Sequence, residues 1–84
     1  MKLTGDASLH VKVLSPTQAF YDGPAMSVTA NNKVGAFDIL VGHANFFSLL
    51  TEGDVVVDTG AQKLSFPITR GIVKVHENSV VLFV

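Results

Sequence analysis

With 84 residues the chain has room for one domain, and folding at that size buries only about 60% of the surface the unfolded chain exposes. Hydrophobic residues make up 48% and charged residues 15%, and the formal net charge of -1 excludes a surface basic enough to track a nucleic-acid backbone. The chain holds no cysteine, which excludes disulfides and thiolate metal sites; a reducing, intracellular setting fits.

The first residues, Met1-Lys2-Leu3-Thr4-Gly5-Asp6, lack the apolar region of a signal peptide. Residues 1–7 are expected as a loose extension of a single domain spanning 1–84. Leu9, Val11 and Val13 then alternate with His10 and Lys12. Successive strand side chains point to opposite faces, so this run predicts a half-buried strand. Asp22-Gly23-Pro24 predicts a break after Phe20-Tyr21. Met26, Val28 and Ala30 alternate again, and Asn31-Asn32-Lys33 predicts a turn, since asparagine tolerates the left-handed backbone. Phe37, Ile39 and Val41 alternate in the next run. Gly42-His43 turns the chain into an apolar patch, Phe46-Phe47 and Leu49-Leu50. Ala44 to Leu50 is the one helical candidate, too short to stand alone.

After Glu52-Gly53-Asp54 comes Val55-Val56-Val57, apolar on both faces and predicted to be covered on two sides. Thr59-Gly60-Ala61 separates it from a strand with Leu64, Phe66 and Ile68 inward. Pro67 in that strand removes a ladder donor, so either the strand is expected at a sheet edge or the Pro67 nitrogen faces solvent. Glu77-Asn78 joins Val73-Lys74-Val75-His76 to Val80-Val81-Leu82-Phe83-Val84 with hairpin spacing. The last run is also predicted to be covered on two sides. The fold class that follows is all-β: an antiparallel sandwich of two packed sheets, about ten short strands and at most one helical turn.

No apolar run approaches the ~20 residues that span a bilayer. The chain is therefore expected to be soluble, or to reach a membrane only through a partner. Mean hydropathy is nevertheless +0.41, high for a small soluble monomer. Either the sheet core is tightly packed or part of the surface is apolar for a partner.

Gly35 to Gly53 carries the most specific pattern. Gly35, Ile39, Leu40, Gly42, His43, Ala44, Leu50 and Gly53 fall, without insertion, on a frame of glycine, apolar strand, Gly-His-Ala and a closing glycine turn. Val13-Leu14-Ser15-Pro16 with Phe20 and Gly23 precedes it; Gly71-Ile72-Val73-Lys74-Val75 with Asn78, Val80 and Leu82 follows. Together these blocks resemble the amino-terminal β-sandwich of the epsilon subunit of F-type ATP synthase, over about Leu9 to Val84. The chain departs from that family's pattern at Ala36, Asp38, Val41, Asn45, Glu52 and Arg70, the last standing for the first glycine of a Gly-Gly pair. The family usually continues into two helices. This chain ends at Val84 and is either a trimmed domain or a naturally short subunit, with the latter expected.

The resemblance implies a non-catalytic rotor subunit that packs on the gamma subunit and the c-ring and couples proton flow to ATP synthesis. It implies a peripheral place at the cytoplasmic face of a bacterial plasma membrane. Carried over by position, Ser15, His43 and Ser48 are the gamma-facing candidates. Asn31, Asn32, Lys33, Val34, Gly35, Ala36 and Phe37 are the ring-facing loop. Each has a plainer reading. His43 can satisfy backbone groups in a turn, Gly35 and Gly42 can serve turn geometry alone, and Phe46, Phe47, Leu49 and Leu50 can be core. No catalytic, metal-binding or cofactor-binding residues are expected, and no small-molecule ligand. Asp38, His43 and Ser48 supply triad residue types but lie in one short segment, and no Gly-x-Ser-x-Gly elbow is present. His10, His43 and His76 match no ligand spacing. The alternative function is a generic protein- or ligand-binding sandwich; a chain with no Trp and a single Tyr, Tyr21, disfavours sugar stacking.

Overall fold

The computed structural model describes residues 8–84; the expected extension at residues 1–7 lies outside them. Alternating Val, Ile, Leu and Phe fit a pleated, half-buried surface, and nine strands result. They are β1 (Leu9–Leu14), β2 (Ala19–Ala25), β3 (Ser27–Asn32), β4 (Gly35–Leu40), β5 (Phe46–Leu50), β6 (Gly53–Asp58), β7 (Lys63–Ile68), β8 (Gly71–His76) and β9 (Ser79–Phe83). Five form one sheet in the order β2-β1-β9-β8-β5, and four form the other in the order β4-β3-β6-β7. Every pairing is antiparallel except one. β1 and β9 run parallel, joining the first and last strands at the middle of the larger sheet. A parallel neighbour needs a long crossover, and here nearly the whole chain supplies it.

The inward residue of each alternating pair makes the core. Leu9, Val11 and Val13 of β1 meet Val28 and Ala30 of β3, Ile39 of β4, Val55 and Val57 of β6, Val73 and Val75 of β8, and Val80 and Leu82 of β9. All are buried, and no polar side chain is buried with them among the described residues. The core therefore carries no desolvation cost from an unpaired polar side chain. Pro67 lies on β7, an edge strand, as its missing donor requires.

The structure departs from the sequence expectation at several places, among them Val41, which lies beyond the end of β4 and is exposed. Asp22-Gly23-Pro24 is not a turn but the middle of β2. β2 is an edge strand, and an edge tolerates proline because half of its N–H groups point away from the ladder. The Tyr21 ring covers Gly23 there, and its hydroxyl donates to the Pro24 carbonyl. Ala44 to Leu50 forms no helix: Phe46–Leu50 is β5, paired with β8 from Phe46↔Val75 to Leu50↔Gly71. Apolar residues at both i, i+1 and i+3, i+4 imitate a helical face, yet they equally describe a strand that is apolar on both sides. The two runs expected to be covered on both sides are covered on one: Val55, Val57, Val80 and Leu82 are buried, while Val56 and Val81 are half-buried and Phe83 is exposed. Met26 does not join Val28 and Ala30 inside. It sits exposed in the bend before β3, with its sulfur over Gly60.

The turns explain the connections. Asn32 does not adopt the left-handed backbone; its side-chain oxygen instead accepts from the Val34 and Gly35 N–H groups, at 2.9 and 3.2 Å. The positive φ that closes this hairpin, 140°, falls on Gly35. In the β8–β9 hairpin the left-handed residue is Glu77, with φ 57°, and its N–H donates to Asn45 Oδ1 at 2.8 Å.

Candidate partner interface

The register assigns every outward side chain. On the larger sheet one transverse row is Leu49, Ile72, Phe83 and Leu14, taken from β5, β8, β9 and β1 in turn. The next row is Phe47, Lys74, Val81, Lys12 and Asp22. The row beyond is His76, Ser79, His10 and Pro24. The face thus grades from apolar at one end to polar at the other. Leu49 is 66% exposed, Phe47 62% and Phe83 52%. Exposed apolar residues standing singly need no explanation, but a contiguous set marks a binding surface.

The outer face of the smaller sheet is different. It presents Ser27, Thr29, Asp38, Asp54, Asp58, Lys63 and Ser65 around Val56 and Leu40. Thr29 Oγ1 donates to Asp38 Oδ1 at 2.6 Å. This side is already polar and acidic, as a solvated sheet face should be.

The apolar end of the larger face is concave. A groove of about 780 Å³ runs across it, lined by Leu14, Pro16, Leu49, Ile72 and Phe83, with Arg70 among its walls. Gly71 lets the groove's floor close. A Cβ there would lie 2.6 Å from the Phe83 carbonyl oxygen, so the β8–β9 approach requires the missing side chain. A smaller cleft continues from Leu49 and Phe47 to Asn32, Lys33 and Val34 at the tip of the β3–β4 hairpin. Val34, at that tip, is 90% exposed.

The fold separates the residues expected to face gamma. Ser15 lies on the groove, and its hydroxyl accepts from Thr17 and Gln18 N–H to close the β1–β2 turn. Ser48 lies on β5 between Phe47 and Leu49 but turns the other way, accepting from Asn32 Nδ2 at 3.2 Å. His43 stacks edge-on against Phe46, which stacks in turn against Phe37, with centroids 5.4 and 5.6 Å apart. His43 therefore shares a cleft with Asn32, Val34, Gly35, Ala36 and Phe37 rather than with Ser15. The expected ring-facing residues stay together: Asn31 through Phe37 form the β3–β4 hairpin. Its base is tied to the end of β5 by the Thr51 N–H donating to the Asn31 carbonyl, at 3.0 Å. Gly35 and Gly42 both carry positive φ, 140° and 86°, with open space where a Cβ would stand. Turn geometry alone accounts for both glycines.

Asp38, His43 and Ser48 are each engaged elsewhere. Asp38 accepts from Thr29, His43 Nδ1 meets the Ala44 carbonyl at 2.7 Å, and Ser48 donates to the Leu49 carbonyl. His10 and His76 line one shallow cleft, with His10 Nε2 2.9 Å from Asp22 Oδ1, and His43 lies apart from it. The transverse apolar row was the part the sequence concealed. Its signal was present in the Val80–Val84 run and the Phe46–Leu50 patch, apolar on both faces.

Fold and surface together define an all-β interaction module: a two-sheet sandwich with one solvated outer face and one outer face left apolar. Comparison with known proteins gives the family. The chain matches the model of the ATP synthase delta/epsilon chain, beta-sandwich domain, over residues 8–84. It belongs to that family. It is 30% identical over 79 residues to the ATP synthase epsilon chain of Sulfurimonas denitrificans, covering 93% of this chain and 61% of that one. It is 32% identical over 77 residues to that of Synechococcus elongatus, covering 92% and 56%. The chain thus spans little more than half the length of these curated relatives. Among solved structures, the fold resembles a chain of the Euglena gracilis mitochondrial ATP synthase OSCP/F1/c-ring assembly. That match has a TM-score of 0.85 and 20% identity, over 92% of this chain and 50% of that one. A chain of the Tetrahymena thermophila mitochondrial ATP synthase central stalk and c-ring matches with a TM-score of 0.78 and 17% identity, over 89% and 61%.

Proposed function

We propose that this chain is a non-catalytic rotor subunit of an F-type ATP synthase, one domain over residues 1–84, that couples proton flow to ATP synthesis by seating gamma against the c-ring. The observation that carries the reading is the apolar outer row Leu49, Ile72, Phe83 and Leu14 in a sandwich of the epsilon family. An exposed row of that kind is stable in water only at a cost, and a permanent partner removes it. Gamma takes this face. Ser15 stands at its rim, and Ser48 and His43 flank the exposed edge of β5. The β3–β4 hairpin, residues 31–37 with Val34 at the tip, meets the loops of the c-ring.

No bond chemistry is assigned to the domain. Its work is mechanical: a rigid, closely packed wedge transmits displacement because its interior is barely compressible. The domain sits at the cytoplasmic face of a bacterial plasma membrane, held there through the complex. The test is co-expression with a gamma subunit from the same organism. A stable one-to-one complex supports the reading. A chain that stays monomeric beside excess gamma supports a generic adaptor sandwich instead.

A further inference from the structure

Charge on the larger sheet's outer face is not balanced. Among the described residues, Lys12 and Lys74 stand in the row behind the apolar one, and Arg70 stands in the groove wall on its other side. The one carboxylate on this face, Asp22, lies 2.9 Å from His10 Nε2. Among the described residues, Arg70 has no carboxylate within ion-pair distance and no acidic residue lines the groove. Asp38, Asp54 and Asp58 lie on the opposite face of the sandwich, and Glu52 and Glu77 lie in the β5–β6 and β8–β9 turns.

The dimensions of the apolar row are equally definite. From β5 to β1 it crosses three strand gaps, about 14 Å at ~4.8 Å per gap. That is the length of roughly ten residues of helix at ~1.5 Å per residue. A helix laid on a sheet face is a common layer arrangement, and a concave groove accepts a ridge. A second copy of this chain is excluded as occupant by its own charge, because a symmetric pairing would set Arg70, Lys12 and Lys74 against the same cations.

We propose that the groove holds an amphipathic helix of about three turns whose apolar stripe is flanked on both sides by carboxylates, and that Arg70 and Lys74 select it. This rests on the rotor reading: the helix is gamma's. Arg70 is then a specificity-determining residue of this interface. Buried or semi-buried charge pairs at an interface control partner choice and encounter rate more than total affinity.

The experiment titrates the 84-residue chain with its cognate gamma subunit at low and high salt, comparing wild type, Arg70→Glu, Lys74→Glu and, as a control on the opposite face, Lys63→Glu. All three positions are exposed, and thermal unfolding verifies that each variant is folded. The expected result is a loss of about tenfold or more in affinity for Arg70→Glu and Lys74→Glu. Lys63→Glu should match wild type, and added salt should weaken the wild-type and Lys63→Glu complexes appreciably and the other two little. If gamma binds wild type tightly and Arg70→Glu binds as Lys63→Glu does, the charge selection is wrong while the rotor reading survives. If gamma fails to bind wild type, both fail. Salt-sensitive binding to vesicles rich in phosphatidylglycerol, without binding to gamma, would overturn the helix in favour of a membrane.

Discussion

Replacing Leu49 by Ala separates folding from partner binding at one residue. Leu49 is 66% exposed in the free domain, so about a third of its side-chain burial is used in folding. Full burial of a leucine is worth about 2 kcal/mol. Folding should therefore lose only ~0.7 kcal/mol, while ~1.3 kcal/mol remains to be gained when a partner covers the residue. For a domain of this size the first figure lowers the midpoint of thermal unfolding by about 3–6 °C. The second figure raises the dissociation constant for gamma about tenfold. Circular dichroism melting and a binding titration on the same preparation measure both. A variant that binds gamma as wild type does refutes the placement of gamma on this face. A variant that loses ten degrees or more shows instead that Leu49 is core, and that the register of β5 is wrong.

Gly71→Ala should be markedly destabilising. Its Cβ would stand 2.6 Å from the Phe83 carbonyl, and relief requires backbone movement at a cost of about 1–3 kcal/mol; chemical denaturation that gives an unchanged midpoint contradicts the close approach of β8 and β9. Ala36→Arg puts a long cation on the exposed side of the β3–β4 hairpin. It should leave thermal stability within about 0.5 kcal/mol, as surface substitutions usually do, yet weaken assembly with the stalk and ring complex. Unchanged assembly counts against the hairpin as the ring contact.

Most of the fold could be read from alternation. Leu9, Val11 and Val13 fix β1 because only one of their two faces is apolar, and Leu64, Phe66 and Ile68 fix β7 in the same way. Pro67 then narrowed β7 to an edge or to a strand with its proline nitrogen facing solvent, and the edge is what the structure has. The failures at β5 and at the two runs expected to be covered on both sides share one cause. Phe46–Leu50, Val55–Val57 and Val80–Val84 are apolar on both faces, and a chain read alone offers no means of telling cover supplied from within from cover supplied by another molecule. Two-sided burial was the natural inference, and a short helix was the natural alternative for β5. The exposed apolar row was thus recorded in the sequence as excess hydrophobicity before it had a location. The parallel β1–β9 seam had no local signal at all, since it joins residues at opposite ends of the chain. Ser15, His43 and Ser48 were legible as a motif but not as a place. Their separation depends on how β5 leans against the β3–β4 hairpin, which is set by the Asn32–Ser48 and Phe37–Phe46 contacts.

The absence of cysteine makes a direct footprint possible. Single substitutions Leu49→Cys and Ser65→Cys put one thiol on each outer face of the sandwich, at exposed positions. Maleimide labelling rates are then measured with and without gamma. Labelling at position 49 should slow at least tenfold when gamma is bound, while position 65 keeps its rate. Equal rates at position 49 with gamma bound, or protection at position 65 instead, would contradict the apolar face of the larger sheet as the seat of the partner.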